Sequence, residues 1–219
     1  MSSPVPPLSE SELTITDGRR SMAVERFEPE RTGPAPAVVL LHGADGLTYR
    51  GPAYRAMARH VAGRGLRVFL PHYFERAGTP GRASFSRPMD FLGWMDAVTE
   101  TVAAAGPGPT GLIGVSLGGY LALATAGRDD RAGAVVTVCG GLPAILVGGF
   151  TRMPPVLVLH GEEDRVVPVG EARALEAWLK ERGTPHEVVI YPNEGHNLSG
   201  AAAEDALHRA TGFLQTHLT

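Results

Sequence analysis

Cysteine is nearly missing from this chain: Cys139 is the single one among 219 residues. One thiol excludes an internal disulfide framework and a cysteine-rich metal site, and it fits a reducing, cytoplasmic setting. Long apolar runs are missing too. Stretches such as Ala37–Leu41 reach about five residues, against the roughly 20 that a membrane-spanning helix needs. Nor does one sign of charge dominate: 20 basic and 23 acidic residues leave a net charge of −3. That balance offers no electrostatic case for nucleic acid or for an anionic membrane surface. Lysine is reduced to Lys180, and the arginines form no cluster. The opening residues, Met1–Glu10, carry Pro4, Pro6 and Pro7 with neither a basic start nor an apolar centre. They read as a flexible leader rather than a signal peptide. No repeat, low-complexity tract or long linker divides the chain, so residues 1–219 read as one domain.

What is present is alternation. Leu13–Thr16 and Met22–Phe27 read as short strands around the turn Asp17-Gly18, an antiparallel edge. Ala37–Leu41 is apolar throughout, the mark of a strand buried on both faces. A helix follows from Pro52 to Gly63, with proline suited to its first turn, then a strand at Leu66–Leu70. Helical spacing at Met89–Ala105 is followed by a strand at Gly111–Val115 and a helix at Leu117–Gly127. The second half continues with strands at Ala134–Val138, Val156–Leu159 and His186–Tyr191, and helices at Val169–Arg182 and Ala201–Leu218. Strands and helices in turn predict an α/β fold, a mainly parallel central sheet with helices on both faces. Functional loops in such sheets gather beyond the carboxyl ends of the strands.

Gly114-Val115-Ser116-Leu117-Gly118 places G-x-S-x-G between a strand and a helix. A turn that sharp pushes the serine hydroxyl outward, and glycine on either side leaves room for neighbouring elements. The segment lacks the G-x-G-x-x-G of dinucleotide binding and the G-K-[ST] of a phosphate loop. A serine hydroxyl is a weak nucleophile until a base takes its proton, and the base needs an orienting acid. Val156–Leu159 runs on through His160-Gly161 into a loop with Asp164. Glu162 and Glu163 are neighbours that could take its place. His186–Tyr191 empties into a loop with His196. All three candidates sit past strand ends, in the order Ser, Asp, His. His60, His208 and His217 fall in helical patterns, His186 opens a strand, His160 reads as a loop-shaping residue, and His42 and His72 precede the serine.

An oxyanion hole needs two aimed donors. The Leu117 N–H follows the nucleophile, and the loop His42-Gly43-Ala44-Asp45-Gly46 offers Ala44 N–H, with Gly43 as the fallback. Tyr49, Tyr73, Phe74 and Phe85 are candidates for lining a pocket, or equally for packing. Cys139, with no elbow around it, reads as a core thiol.

These residues resemble the dienelactone hydrolase family of α/β-hydrolases. The marks are G-V-S-L-G-G at 114–119, H-G-E-E-D at 160–164, G-H-N at 195–197 and P-H-Y-F-E-R at 71–76. The resemblance runs from about Ser21 to the end. It implies a compact α/β-hydrolase; with only Gly140–Pro155 between two strands, there is no space for a large cap domain. It also implies hydrolysis of a small ester or lactone through an acyl-enzyme, with no metal or organic cofactor. The chain departs from the family in three places. Ser116 stands where dienelactone-opening members carry cysteine, Gly43 where they carry glutamate, and Gly200 where they carry the second of two substrate-binding arginines. Arg76 matches the first arginine, and it reads equally as the ion-pair partner of Glu75 or another acid. Three further matters stay open: a thioesterase or peptidase on the same residues, a non-catalytic binding protein, and a monomer or homodimer.

Overall fold

The computed structural model describes residues 8–30, 33, 35–78, 88–143 and 146–218. Eight strands form one sheet: β1 (Leu8–Thr16), β2 (Ser21–Pro29), β3 (Ala37–Leu41), β4 (Arg67–Pro71), β5 (Thr110–Val115), β6 (Ala132–Val138), β7 (Val156–Gly161) and β8 (His186–Tyr191). Their order across the sheet is β1-β2-β4-β3-β5-β6-β7-β8. β1, β2 and β4 pair antiparallel, in register from Leu8↔Pro29 to Thr16↔Ser21 at the outer edge. Every other pairing is parallel. Of the expected flexible leader, residues 8–10 are thus already paired in β1, and Met1–Pro7 lie outside the described residues.

Among the described residues the α-helices are α1 (Gly46–Ala62), α2 (Tyr73–Arg76), α3 (Pro88–Ala104), α4 (Leu117–Ala126), α5 (Val169–Glu181) and α6 (Gly200–His217). The fully apolar β3 explains how they are arranged. Successive side chains of a strand point to opposite faces, so Val38 and Leu40 join one cluster while Val39 and Leu41 join the other. The first cluster takes Tyr54, Ala58 and Val61 from α1 and Ala206, Ala210 and Phe213 from α6. The second takes Trp94 and Val98 from α3, Leu121 from α4 and Leu175 from α5. A sheet sealed on both sides needs just this composition, because a polar residue on either face would be buried.

Two sequence expectations shift. α1 begins at Gly46, so Pro52 lies inside the helix rather than in its first turn. Proline there removes one backbone bond and crowds the carbonyl of the preceding turn, while α1 continues to Ala62 packed on the sheet through Tyr54, Ala58 and Val61. α2, four residues long, has no periodicity for sequence reading to find. Because β4 and β5 lie on opposite sides of β3, the direction of strand succession reverses there. A crevice opens beyond the carboxyl ends of strands at such a switch point, and the elbow lies on its rim.

Candidate active site

Ser116 joins β5 directly to α4. Its backbone stands at φ 53°, ψ −117°, a region that costs a non-glycine residue about 1–3 kcal/mol. The Ser116 N–H donates to the Val138 carbonyl at 2.8 Å, fastening the turn to β6. The glycines beside it are required by contact. A Cβ on Gly114 would stand 2.1 Å from the Gly118 carbonyl oxygen, and one on Gly118 would stand 2.3 Å from the Leu41 carbonyl oxygen. Neither backbone can yield without displacing the serine.

His196 Nε2 lies 2.9 Å from Ser116 Oγ, and His196 Nδ1 lies 2.7 Å from Asp164 Oδ2. Residues 80 and 32 positions apart are thus joined in one hydrogen-bonded chain. With Asp164 ionised, Nδ1 carries the proton and donates, which leaves Nε2 free to accept from the serine hydroxyl. Asp164 Oδ1 is occupied separately: the N–H groups of Val166 and Val167 donate to it at 2.8 and 2.9 Å. Burial pushes the Asp164 carboxyl up, but the His196 bond and the two backbone donors outweigh it and hold it below the usual range. Asp164 is therefore a carboxylate at neutral pH. Glu162 and Glu163 are both exposed and stand away from this chain of bonds, their backbone N–H groups tied to Tyr191 and Glu194.

Three side chains support the acid and the early loop in ways the sequence did not disclose. Fully buried His160 points Nε2 at the Val167 carbonyl, 2.8 Å away, and stands 3.3 Å from Asp164 Oδ2. It pins the loop that supplies the two backbone donors. Cys139 is fully buried at φ 50°, with Sγ in one group with Asp164 and His196, their nearest polar atoms all within 4.8 Å. Burial pushes its thiol up to about 12. It is a neutral thiol beside the acid rather than a nucleophile. Tyr54 Oη accepts the Gly43 N–H at 2.7 Å.

The Tyr54 contact corrects the fallback oxyanion donor, since Gly43 N–H is already spent. Among the described residues, the N–H groups of Leu117 and Ala44 have no acceptor within the protein. The preceding residue, His42, is buried, stacked on Tyr73 at 4.0 Å, with Nδ1 2.9 Å from the Gly43 carbonyl. Burial lowers its pKa to about 4, the Gly43 bond opposing and nearby His72 adding to the shift. His42 is neutral at pH 7 and shapes the loop.

The expected aromatic lining is corrected in part. Tyr73 is fully buried, and its hydroxyl donates to the His42 carbonyl at 2.5 Å. Phe74 packs edge-on against His42 and Tyr73. Both are core residues, because α2 turns them inward beneath the β3 loop. Tyr49 is 70% exposed on α1, and Phe85 lies outside the described residues. Arg76 is held by Asp17 and, through two nitrogens at 2.6 and 3.2 Å, by Glu100. Its guanidinium is thus paired with acids, neither of them Glu75. Glu75 instead accepts from the Ala23 N–H and approaches His72.

The described residues contain no helix long and apolar enough to cross a membrane. The profile of the dienelactone hydrolase family matches residues 22–218. A dienelactone hydrolase-like promiscuous phosphotriesterase from metagenomic libraries superposes with a TM-score of 0.79 at 19% identity, covering 97% of this chain and 99% of that one. A cold-adapted esterase from an Arctic intertidal metagenomic library gives 0.74 at 18% identity, covering 100% and 97%. The acylamino-acid-releasing enzyme of Rattus norvegicus is 40% identical over 65 residues, 29% of this chain and 9% of that enzyme. The chain spans under a tenth of the length of the curated relatives it matches.

Proposed function

The chain belongs to the dienelactone hydrolase family; on that premise we propose that it is an ester-cleaving α/β-hydrolase, acting on small carboxylic esters or lactones through an acyl-enzyme on Ser116. The observation that carries the reading is the Ser116–His196–Asp164 chain, at 2.9 and 2.7 Å. His196 Nε2 takes the hydroxyl proton as Oγ attacks the ester carbonyl. The carbonyl oxygen becomes negative and is received by the Leu117 and Ala44 N–H groups, at the first turn of α4 and in the β3 loop. The C–O bond to the alcohol then breaks, and the proton on His196 passes to the departing oxygen. Water enters, gives a proton to His196 and attacks the acyl carbon; the bond from that carbon to Ser116 Oγ then breaks, His196 returns the proton to Oγ, and the acid leaves with Ser116 restored. Asp164 keeps the imidazole in the working tautomer and stabilises the imidazolium. The buried His42–Tyr73–Phe74 group supports the β3 loop from beneath. No step needs a metal or an organic cofactor, and a soluble cytoplasmic enzyme is the setting that fits.

Serine in place of cysteine, and Gly43 in place of glutamate, favour simple esters over dienelactones. Arg76, already paired, adds no free cation for a substrate carboxylate. A peptidase reading has one specific support, the local match to the acylamino-acid-releasing enzyme. An N-acetylated amino-acid anilide separates the two, because the ester reading expects far slower turnover of the anilide than of the matching ester.

The test is Ser116→Ala, assayed with p-nitrophenyl acetate and a fluorophosphonate probe. A loss in kcat on the order of 10⁴-fold or more, with labelling abolished, is the expected result. Wild-type protein that neither turns over nor labels would overturn the reading in favour of a binding protein.

A further inference from the structure

A cavity of about 140 Å³ lies between α1 and α6, with His196 in its wall. Its buried walls include Ile113, Ala206 and Ala210, and Val115 and Val138 line it at the ends of β5 and β6. Exposed Arg50 and Asn197 stand at its rim. It meets the hydrogen-bonded chain only at His196 and the oxyanion loop only through Tyr54, and the mechanism above leaves the rest of its lining unused.

We propose that this slot receives the alkyl part of the departing alcohol, a linear aliphatic chain of four or five carbons. The inference rests on the Ser116–His196 reading. Its first support is position. The oxygen that leaves must take its proton from His196 Nε2, so the carbon attached to that oxygen begins beside the imidazole. The same ring is part of the slot's wall, so the shortest continuation of the chain runs into it. Its second support is chemistry. Aliphatic side chains make up most of the lining, and Tyr54 Oη already accepts one hydrogen bond, from the Gly43 N–H. A methylene chain gives up no hydrogen bond on entering, whereas a hydroxylated chain would leave polar groups unpaired. The third is size: an apolar cavity of about 150 Å³ accommodates a benzene-sized group, so 140 Å³ matches butyl or pentyl.

The experiment measures kcat/KM for acetate esters of methanol through octanol, beside methyl esters of acetic through octanoic acid. Each methylene that enters the slot contributes about fourfold. The alcohol series should therefore rise roughly 60-fold from methyl to butyl and level off past pentyl, while the acyl series stays comparatively flat. Ala206→Leu narrows the slot and should cut the butyl-to-methyl ratio at least tenfold. Met57→Ala, a change at a half-buried lining residue, should move the optimum about two carbons longer and serves where the first variant fails to fold. Wild type that labels with fluorophosphonate yet shows a flat alcohol series overturns the slot and leaves the nucleophile standing. So does length dependence confined to the acyl series, or a ratio unmoved by both variants. Absence of labelling and turnover overturns both readings together.

Discussion

Acid should weaken this fold through one buried ring. His42 is held neutral, with its pKa lowered to about 4 chiefly by burial, whereas in the unfolded chain it titrates near 6.5. Between those values the unfolded state binds a proton that the folded state refuses. Stability is therefore whole above about pH 6.5 and declines as pH falls toward 4. One proton linked over the interval gives about 2 kcal/mol lost between pH 7 and 5, and about 3 kcal/mol by pH 4. The comparison is His42→Asn, which keeps an amide donor near the Gly43 carbonyl but cannot titrate. Urea unfolding at pH 7, 6 and 5 would be followed for both proteins. The variant is expected to be less stable at pH 7, having lost the stack on Tyr73, yet to fall less steeply with acid by about 2 kcal/mol. Parallel curves would refute the argument, since they would mean that His42 already gains its proton in the folded state or is not sealed from water.

Asp164→Asn should lower kcat by about 10⁴-fold, because the Val166 and Val167 N–H groups hold the amide oxygen and turn its NH₂ toward His196 Nδ1, forcing the wrong tautomer. A loss under tenfold would show that the carboxylate is not the orienting acid. Tyr54→Phe strands the buried Gly43 N–H and should cost about 1–3 kcal/mol in urea unfolding; an unchanged midpoint and slope would mean that water replaces the hydroxyl. Arg76→Gln unpairs Asp17 and Glu100 and should lower the urea-unfolding midpoint only modestly, because both carboxylates reach solvent. Its relative kcat/KM on neutral and carboxylate-bearing esters should stay the same, and a selective loss on the acidic ester would return Arg76 to substrate binding.

Much of this molecule was legible before its structure because the constraints are local. Ser116 needs glycine at 114 and 118 for the backbone to pass, and those glycines stand in the sequence beside it. β3 and the body of β7 announce themselves by apolar runs, since strands buried on both faces have little polar side to show. What stayed hidden was set by elements meeting from afar. Nothing near Gly43 says that Tyr54 will cap its N–H, because the pairing depends on the angle at which α1 leaves the loop. Cys139 touches Asp164 only because β6 and β7 are neighbours in the sheet. In the sequence Tyr73 and Phe74 serve equally as pocket or packing residues, and the four residues of α2 decide for packing by turning them inward. Arg76 shows the same limit: an acid next to it in sequence was the natural partner, while Asp17 and Glu100 come from the β1–β2 turn and α3.

The acid and the base share a mounting. Gly161 lies so close to the His196 loop that a Cβ there would stand 2.3 Å from the Gly195 carbonyl oxygen, and the Glu162 and Glu163 N–H groups bond to Tyr191 and Glu194. Asp164 and His196 therefore ride on one clamped block, while Ser116 is carried separately, two strands away across β6. Among the three reacting side chains, the one link that bridges the two carriers is the 2.9 Å between Nε2 and Oγ. As the protein warms toward unfolding, the imidazole should remain correctly aimed long after the nucleophile has begun to drift out of its reach.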